Sequence, residues 1–261
     1  MQTSPDDHAI LGIAADDLAG AADTAAQVAS PERPSLVSLG PRPSWLPHNA
    51  ADAAAFAIDA DCRNVTPKDC AIRIADAFAQ LARIPGCRRY LKLDSTLRGN
   101  VGAAIEAATE GAEAAILAPA FPARQRTVAD GILLVNGTPV AETEVGRDGA
   151  APVGVSEVAA IVRRQWQCGV AILSPRTYGT PGALAEALAQ ALDEGAELLM
   201  LDADSAEDMR DIAAAVQHMS EMPLRVLPAG SAGLARGFAD VMGVSPRTPP
   251  PSPPARAMPM P

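Results

Sequence analysis

Nine consecutive residues, Lys92 to Asn100 (KLDSTLRGN), bring a cation, an acid, two hydroxyls, a second cation, a glycine and an amide into one short run. Arg98 offers a fork of donors that fits a carboxylate or phosphate at two points, and Lys92 adds a compact point charge. Asp94 could accept from a substrate hydroxyl, or take its proton during phosphoryl transfer. Ser95 and Thr96 could bond a ligand or cap a helix, and Gly99 permits a tight turn or a close approach of ligand to backbone. The structural alternative is an Asp–Arg pair with a hydroxyl cap. Seven polar or special residues in nine exceed what a cap needs.

Two further clusters carry chemistry of the same kind. Asp16 and Asp17 follow an apolar run and precede an Ala-rich one; a carboxylate there could bind sugar hydroxyls, ligate a metal or act as a base, or simply cap the helix. In PAGSAGLA, Gly230, Ser231 and Gly233 could cradle an anion at a helix start, with close helix–sheet packing as the alternative reading. The segment lacks a GK[ST] sequence and GxGxxG spacing, which excludes a Walker A loop and disfavours a dehydrogenase-type dinucleotide site. The stretch from Pro119 to Pro152 carries Arg124, Arg126, Glu142, Glu144, Arg147 and Asp148 on loop and hairpin, where binding residues often sit and where solvated charges sit as well.

These residues need a scaffold, and the apolar pattern supplies one. Strands are expected at Ala9–Ala15, around Leu36–Leu39, at Ala53–Ile58, in RYLKL before the polar turn, in EAAILAP, GVAILS, ELLMLDA and LRVLPAG. Helices are expected at Leu18–Ala29, from Thr66-Pro67 through KDCAIRIADAFAQLAR, in VGAAIEAAT, in EVAAIVRRQW capped by Ser156, in GALAEALAQALDEG, after a Ser205–Asp208 capping box, and in SAGLARGFADVMG. The Pro119–Pro152 excursion is not helix-periodic, and Asn136-Gly137 predicts a hairpin turn inside it. Alternating strands and helices imply an α/β fold with a mostly parallel sheet covered on both faces. The polar clusters then fall at strand-to-helix turns, where open α/β sheets bind ligands.

Composition narrows the function. A 261-residue chain with 48% hydrophobic residues can bury a sizeable core. A net charge of -10 and only 3% aromatics argue against a nucleic-acid binder. Cys62, Cys70, Cys87 and Cys168 form no CxxC pair, and His8, His48 and His218 are scattered, so no metal site is expected. No window is apolar and long enough to span a bilayer, and the N-terminus lacks signal-peptide character; a cytoplasmic protein is expected. After Gly243 the composition turns to VSPRTPPPSPPARAMPMP, a Pro-rich linker or disordered tail over residues 244–261.

The ordered set IAADDLAGAADTA, IDADCR, KLDSTLRGNVGAAI, APAFPARQRTVADGILLVNGTPVAETEVGRD and GSAGLA resembles the four-carbon acid sugar kinase family, which includes D-threonate, D-erythronate and 3-oxo-tetronate kinases. The resemblance implies a Rossmann-like three-layer α/β/α domain over residues 1–243, binding the sugar acid, with the family's C-terminal nucleotide-binding domain absent from this chain. It implies ATP-dependent phosphorylation of a hydroxyl, with ATP and Mg2+ acting in the complete enzyme and neither held firmly by this chain alone. The implied partners are the sugar acid and a separate nucleotide-binding domain, with self-association left open.

By the same resemblance Asp16, Arg63, Lys92, Ser95, Arg98, Gly99, Asn100 and Arg126 would meet the substrate. Asp17 or Asp94 would orient or deprotonate the attacking hydroxyl, and Gly230, Ser231 and Gly233 would lie near the nucleotide phosphates. The chain departs from the family pattern at Ala19, where the family has Thr, at Gln125-Arg126-Thr127, where it often has GRT, and at Asp148-Gly149, where it often has Asp-Pro. A non-catalytic sugar-acid-binding domain and an inactive truncated remnant are the alternatives to a working kinase half.

Overall fold

The computed structural model describes residues 10–41 and 53–244. His8, His48 and the Pro-rich run from Ser245 onward lie outside the described residues. In chain order the elements are β1 (Ile10–Ala15), α1 (Leu18–Val28), β2 (Ser35–Ser38), β3 (Ala55–Asp59), α2 (Pro67–Leu81), β4 (Cys87–Lys92), α3 (Val101–Ala108) and β5 (Ala114–Ala118). A small antiparallel unit follows, β6 (Arg126–Ala129), β7 (Ile132–Val135) and β8 (Thr138–Pro139). Then come α4 (Val158–Arg163), β9 (Val170–Leu173), α5 (Pro175–Tyr178), α6 (Pro181–Asp193), β10 (Leu198–Leu201), α7 (Ala206–Ser220), β11 (Val226–Gly230) and α8 (Ala232–Val241).

Eight strands form one sheet in the order β2-β3-β1-β4-β11-β5-β10-β9, and every pairing within it is parallel. Helices α1, α8, α7 and α6 pack in a row, and α2, α3 and α4 pack in another, so the sheet is covered on both sides. Burial on two faces is why β5 (AAILA) and β10 (LLML) are continuous apolar runs, each buried throughout.

Local signals set the helix starts. The Thr66 hydroxyl accepts the Asp69 N–H ahead of Pro67, Thr180 does the same for Ala183 ahead of Pro181, and Ser205 and Asp208 form a reciprocal capping box. Ser156 differs from expectation. Its hydroxyl accepts the Ala141 N–H of the excursion, and α4 starts after Glu157 without a side-chain cap. The excursion holds two tight turns where one was expected. Asp130-Gly131 joins β6 to β7 and Asn136-Gly137 joins β7 to β8, with φ of +50° and +75° in the first and +52° and +76° in the second. Paired positive φ values are the type I′ signature that suits a hairpin's twist. The Asp202 carboxylate at the end of β10 accepts the N–H groups of Asp130 and Gly131 at 2.9 and 3.0 Å, which ties the first turn to the main sheet.

Candidate functional site

β1 lies between β3 and β4. The helix after β1 joins one packed row and the helix after β4 joins the other, which opens a crevice beyond the carboxyl ends of these two strands. This is the switch point at which doubly wound sheets bind ligands. Asp16 and Asp17 leave β1 into it, and Lys92 to Arg98 leave β4 into it.

Arg63 spans the crevice. The turn after β3 is stitched to the end of β1, with the N–H groups of Ala60, Cys62 and Arg63 donating to the carbonyls of Ala15, Asp16 and Asp16. This aims the guanidinium at both acids: Nε lies 2.8 Å from Asp16 Oδ2, and Nη1 lies 2.8 Å from Asp17 Oδ2. Asp17 also caps α1, accepting the Gly20 N–H at 2.8 Å. Burial pushes the Asp16 carboxyl up against the pull of Lys92 and Arg63, and its Oδ1 is buried with no hydrogen-bond partner. Burial lowers the proton affinity of Arg63, but Asp16 more than restores it, so the guanidinium stays charged.

Gly99 and Asn100 act on Arg63. Asn100 Nδ2 donates to the carbonyls of Cys62 (3.0 Å) and Val65 (2.8 Å), and its Oδ1 accepts from Gln165 Nε2 at 3.0 Å. Gly99 has φ +88°, and a Cβ there would lie 2.8 Å from both the carbonyl oxygen and Cγ of Arg63. Behind this loop the buried thiols of Cys62 and Cys70 touch at 2.9 Å. Lys92 is buried and donates to the Leu93 carbonyl at 2.6 Å. It fits there because position 20 has no side chain: a Cβ on Gly20 would lie 2.7 Å from Nζ.

Asp94 is buried, and its Oδ2 accepts from Thr96 Oγ1 at 2.6 Å and from Arg98 Nε. Burial alone would raise its pKa, but the bonds from Arg98 and Thr96 prevail and hold it at about 2. Such a carboxylate orients a hydroxyl well and accepts its proton poorly. Arg98 also reaches Asp148 Oδ2 at 3.4 Å through Nη1. Ser95 is half-buried beside them, its hydroxyl unbonded to the described residues.

The structure therefore brings Asp16, Asp17, Arg63, Lys92, Asp94, Ser95 and Arg98 together, with Gly99 and Asn100 beneath them. Arg126, at the start of β6, turns its guanidinium to the Arg124 carbonyl and makes no hydrogen bond or ion pair with these residues. Gly230, Ser231 and Gly233 are taken up in packing. The Ser231 hydroxyl donates to the Ala120 carbonyl and accepts the Gly233 N–H, and a Cβ on Gly230 or Gly233 would strike the Ala118 or Ala120 carbonyl. Gln165 is a site neighbour that the sequence does not flag, and Asp148 is one that the sequence offers only as one charge among several in a polar excursion. Among the described residues no group of three or more His, Cys, Asp or Glu is arranged to hold a metal ion, and no helix is long and apolar enough to cross a membrane. Two concavities of about 520 and 510 Å³ lie elsewhere, one beside the Asp130-Gly131 turn and one at the amino ends of β1, β4 and β11.

Residues 11–238 match the family described as "Sugar-binding N-terminal domain". The chain belongs to the four-carbon acid sugar kinase family. It is 34% identical over 227 residues to a D-threonate kinase of Cupriavidus necator, covering 87% of this chain and 53% of that protein. Among the solved structures similar to this chain is one described as a domain of unknown function from Bordetella bronchiseptica, crystallised as a domain-swapped dimer with bound citrate. It shows 30% identity and a TM-score of 0.73 over 88% of this chain and 55% of that one. A Haemophilus influenzae protein shares the fold at 20% identity, with a TM-score of 0.80 over 91% of this chain and 57% of that one. The chain spans about half the length of the curated relatives it matches.

Proposed function

We propose that this chain binds a four-carbon sugar acid (threonate, erythronate or 3-oxo-tetronate) and supplies the substrate half of an ATP-dependent phosphotransferase. The observation that carries the reading is the Asp16–Arg63–Asp17 bridge set beside the Asp94–Arg98 pair in the β1/β4 crevice. Ionised carboxylates accept sugar hydroxyls, and Arg98, the most exposed of the three cations, has Nη2 unbonded to the described residues and can take a carboxylate. The substrates named for its relatives, and the citrate in the Bordetella structure, are hydroxy acids of this kind.

Of the three carboxylates, Asp94 orients the hydroxyl that is to be phosphorylated. Asp16 is the proton acceptor in this reading, because it combines a raised proton affinity with a buried oxygen that lacks a donor. ATP and Mg2+ belong to the complete enzyme. The start of α8 does not fit the triphosphate, since the Gly233 and Leu234 N–H groups are already bonded to Ser231; the reading therefore places the nucleotide on a separate domain.

Thermal melting of this chain with D-threonate, D-erythronate, L-threonate and 3-oxo-tetronate, each with and without Mg-ATP, tests the proposal. Ligand at about 100 times its Kd adds about 2.7 kcal/mol, which at roughly 2–4 °C per kcal/mol for a domain of this size is a rise of about 5–10 °C in Tm. The expected result is a rise with one sugar acid and none with Mg-ATP. No rise with any acid, on a protein that melts cooperatively, would overturn it, and a rise with Mg-ATP would overturn the placement of the nucleotide.

A further inference from the structure

Asp148 reaches the crevice from the excursion, and its position there is fixed. The Asp130-Gly131 turn is bound to Asp202, Val128 bridges to Ala203 and Ile132 to Glu157, and Gly146 sits so close to the carbonyls of Val140 and Ala141 that a Cβ would fall 2.6 and 2.5 Å from them. The Oδ1 atom of Asp148 accepts the N–H groups of Ala150 and Ala151, each at 2.9 Å. With that oxygen committed, the orientation of Oδ2 is set, and it faces Arg98 Nη1 at 3.4 Å.

A full ion pair would close further, since N–H···O bonds run at about 2.7–3.2 Å. Both side chains also remain about 30% exposed. The pair therefore presents an acceptor, Asp148 Oδ2, directly beside the unbonded Nη2 donors of Arg98. An α-hydroxy acid presents the complement: a hydroxyl donor on the carbon that bears an acceptor carboxylate. The reading above gives Asp16 and Asp94 to the hydroxyl that is phosphorylated, and Asp17 is held by Arg63 and by the Gly20 N–H, which leaves Asp148 for a hydroxyl elsewhere on the substrate.

We propose that Asp148 is a specificity-determining residue that, with Arg98, selects substrates carrying a hydroxyl on the carbon next to the carboxylate. Asp148 Oδ2 accepts that hydroxyl, and Arg98 Nη2 donates to the carboxylate. Backbone N–H groups of Ala151 and Ala150 hold the Asp148 carboxyl below its ordinary pKa, so the acceptor stays ionised at neutral pH. The proposal rests on the sugar-acid reading above and adds a residue and a substrate feature to it.

Calorimetric titration of this chain separates the two. The ligands are whichever four-carbon sugar acid binds the wild type and its 2-deoxy counterpart, 3,4-dihydroxybutanoate for threonate or erythronate. A hydrogen bond to a charged group gives the wild type a preference for the α-hydroxy acid of about tenfold or more. Asp148→Asn keeps the turn through its amide oxygen but puts an NH2 donor where Oδ2 stood. It should erase the preference by weakening only the α-hydroxy acid, and Asp148→Ala should do the same. A wild type without the preference, or a preference that survives in Asp148→Asn, overturns the inference and leaves sugar-acid binding intact. A wild type that binds neither acid overturns both.

Discussion

Replacing Asn100 by alanine removes the amide that holds the Arg63 loop in place. Three hydrogen bonds of ordinary length go with it: to the carbonyls of Cys62 and Val65 at 3.0 and 2.8 Å, and from Gln165 at 3.0 Å. Each contributes about 0.5–1.5 kcal/mol net, so the loss is about 2–4 kcal/mol. In urea, with a slope of about 3 kcal/mol per molar for a domain this large, the midpoint should fall by about 1 M. Asn100→Asp should be worse at neutral pH. It keeps the acceptor for Gln165 but turns a carboxylate oxygen toward two carbonyls. The Arg63 carbonyl lies close to the same amide at 3.5 Å, so the loop that carries the guanidinium should loosen and sugar-acid affinity should fall with stability. A midpoint within about 0.3 M of wild type, or Asn100→Asp equal to Asn100→Ala, would refute the view that Asn100 serves the Arg63 loop.

Three other outcomes follow from the buried groups. Burial raises the Asp16 carboxyl above 3.8, so the folded state binds more protons than the unfolded one and native stability falls as pH rises through the folded pKa. Asp16→Asn should therefore be at least as stable as wild type in urea at neutral pH, yet lose sugar-acid binding; a clear destabilisation would sink this reading of Asp16. Asp94 has the opposite sign: its pKa drops from 3.8 to about 2, giving about 2 kcal/mol that is present above pH 3.8 and lost as pH falls toward 2. Asp94→Asn should flatten that acid limb, and an unchanged stability–pH profile would contradict it. Ser231→Ala leaves the buried Ala120 carbonyl and Gly233 N–H unpaired, so it should cost about 1–3 kcal/mol and leave the calorimetric response to sugar acid unchanged; a change in binding without destabilisation would put Ser231 at a ligand.

Elements whose residues answer to one local rule are legible in the chain. The buried strands read as apolar runs because both faces of a parallel sheet are covered. Thr66, Ser205 and the Asn136-Gly137 turn each satisfy backbone groups within a few residues of themselves. Ser156 failed as a cap because a distant N–H, that of Ala141, took its hydroxyl. The Asp130-Gly131 turn was missed although its dipeptide is a hairpin signal. Its role in the fold comes from Asp202, far along the chain. At the site, the residue types of KLDSTLRGN announced a polar crevice, but not the division of labour within it. Gly99 and Asn100 read as ligand-facing residues from their types alone, and their contacts with the Arg63 loop come from a distant part of the chain; Arg63 itself entered through family resemblance and not through spacing. Asp148 meets Arg98 only through the path of the whole excursion, which no short-range pattern encodes.

The strand order has a consequence for how the chain folds. β11, the last strand among the described residues, lies between β4 and β5, with Ala229 opposite Leu91 on one side and Leu117 on the other. During synthesis those earlier strands are made long before the one that joins them, and each carries a row of unpaired backbone groups until Gly230 has emerged. Such edges template wrong pairings, and pairings so distant in sequence are slow to form. The seam at the middle of the sheet is thus the last to close, and a fragment ending before Val226 keeps two sticky half-sheets in place of one domain.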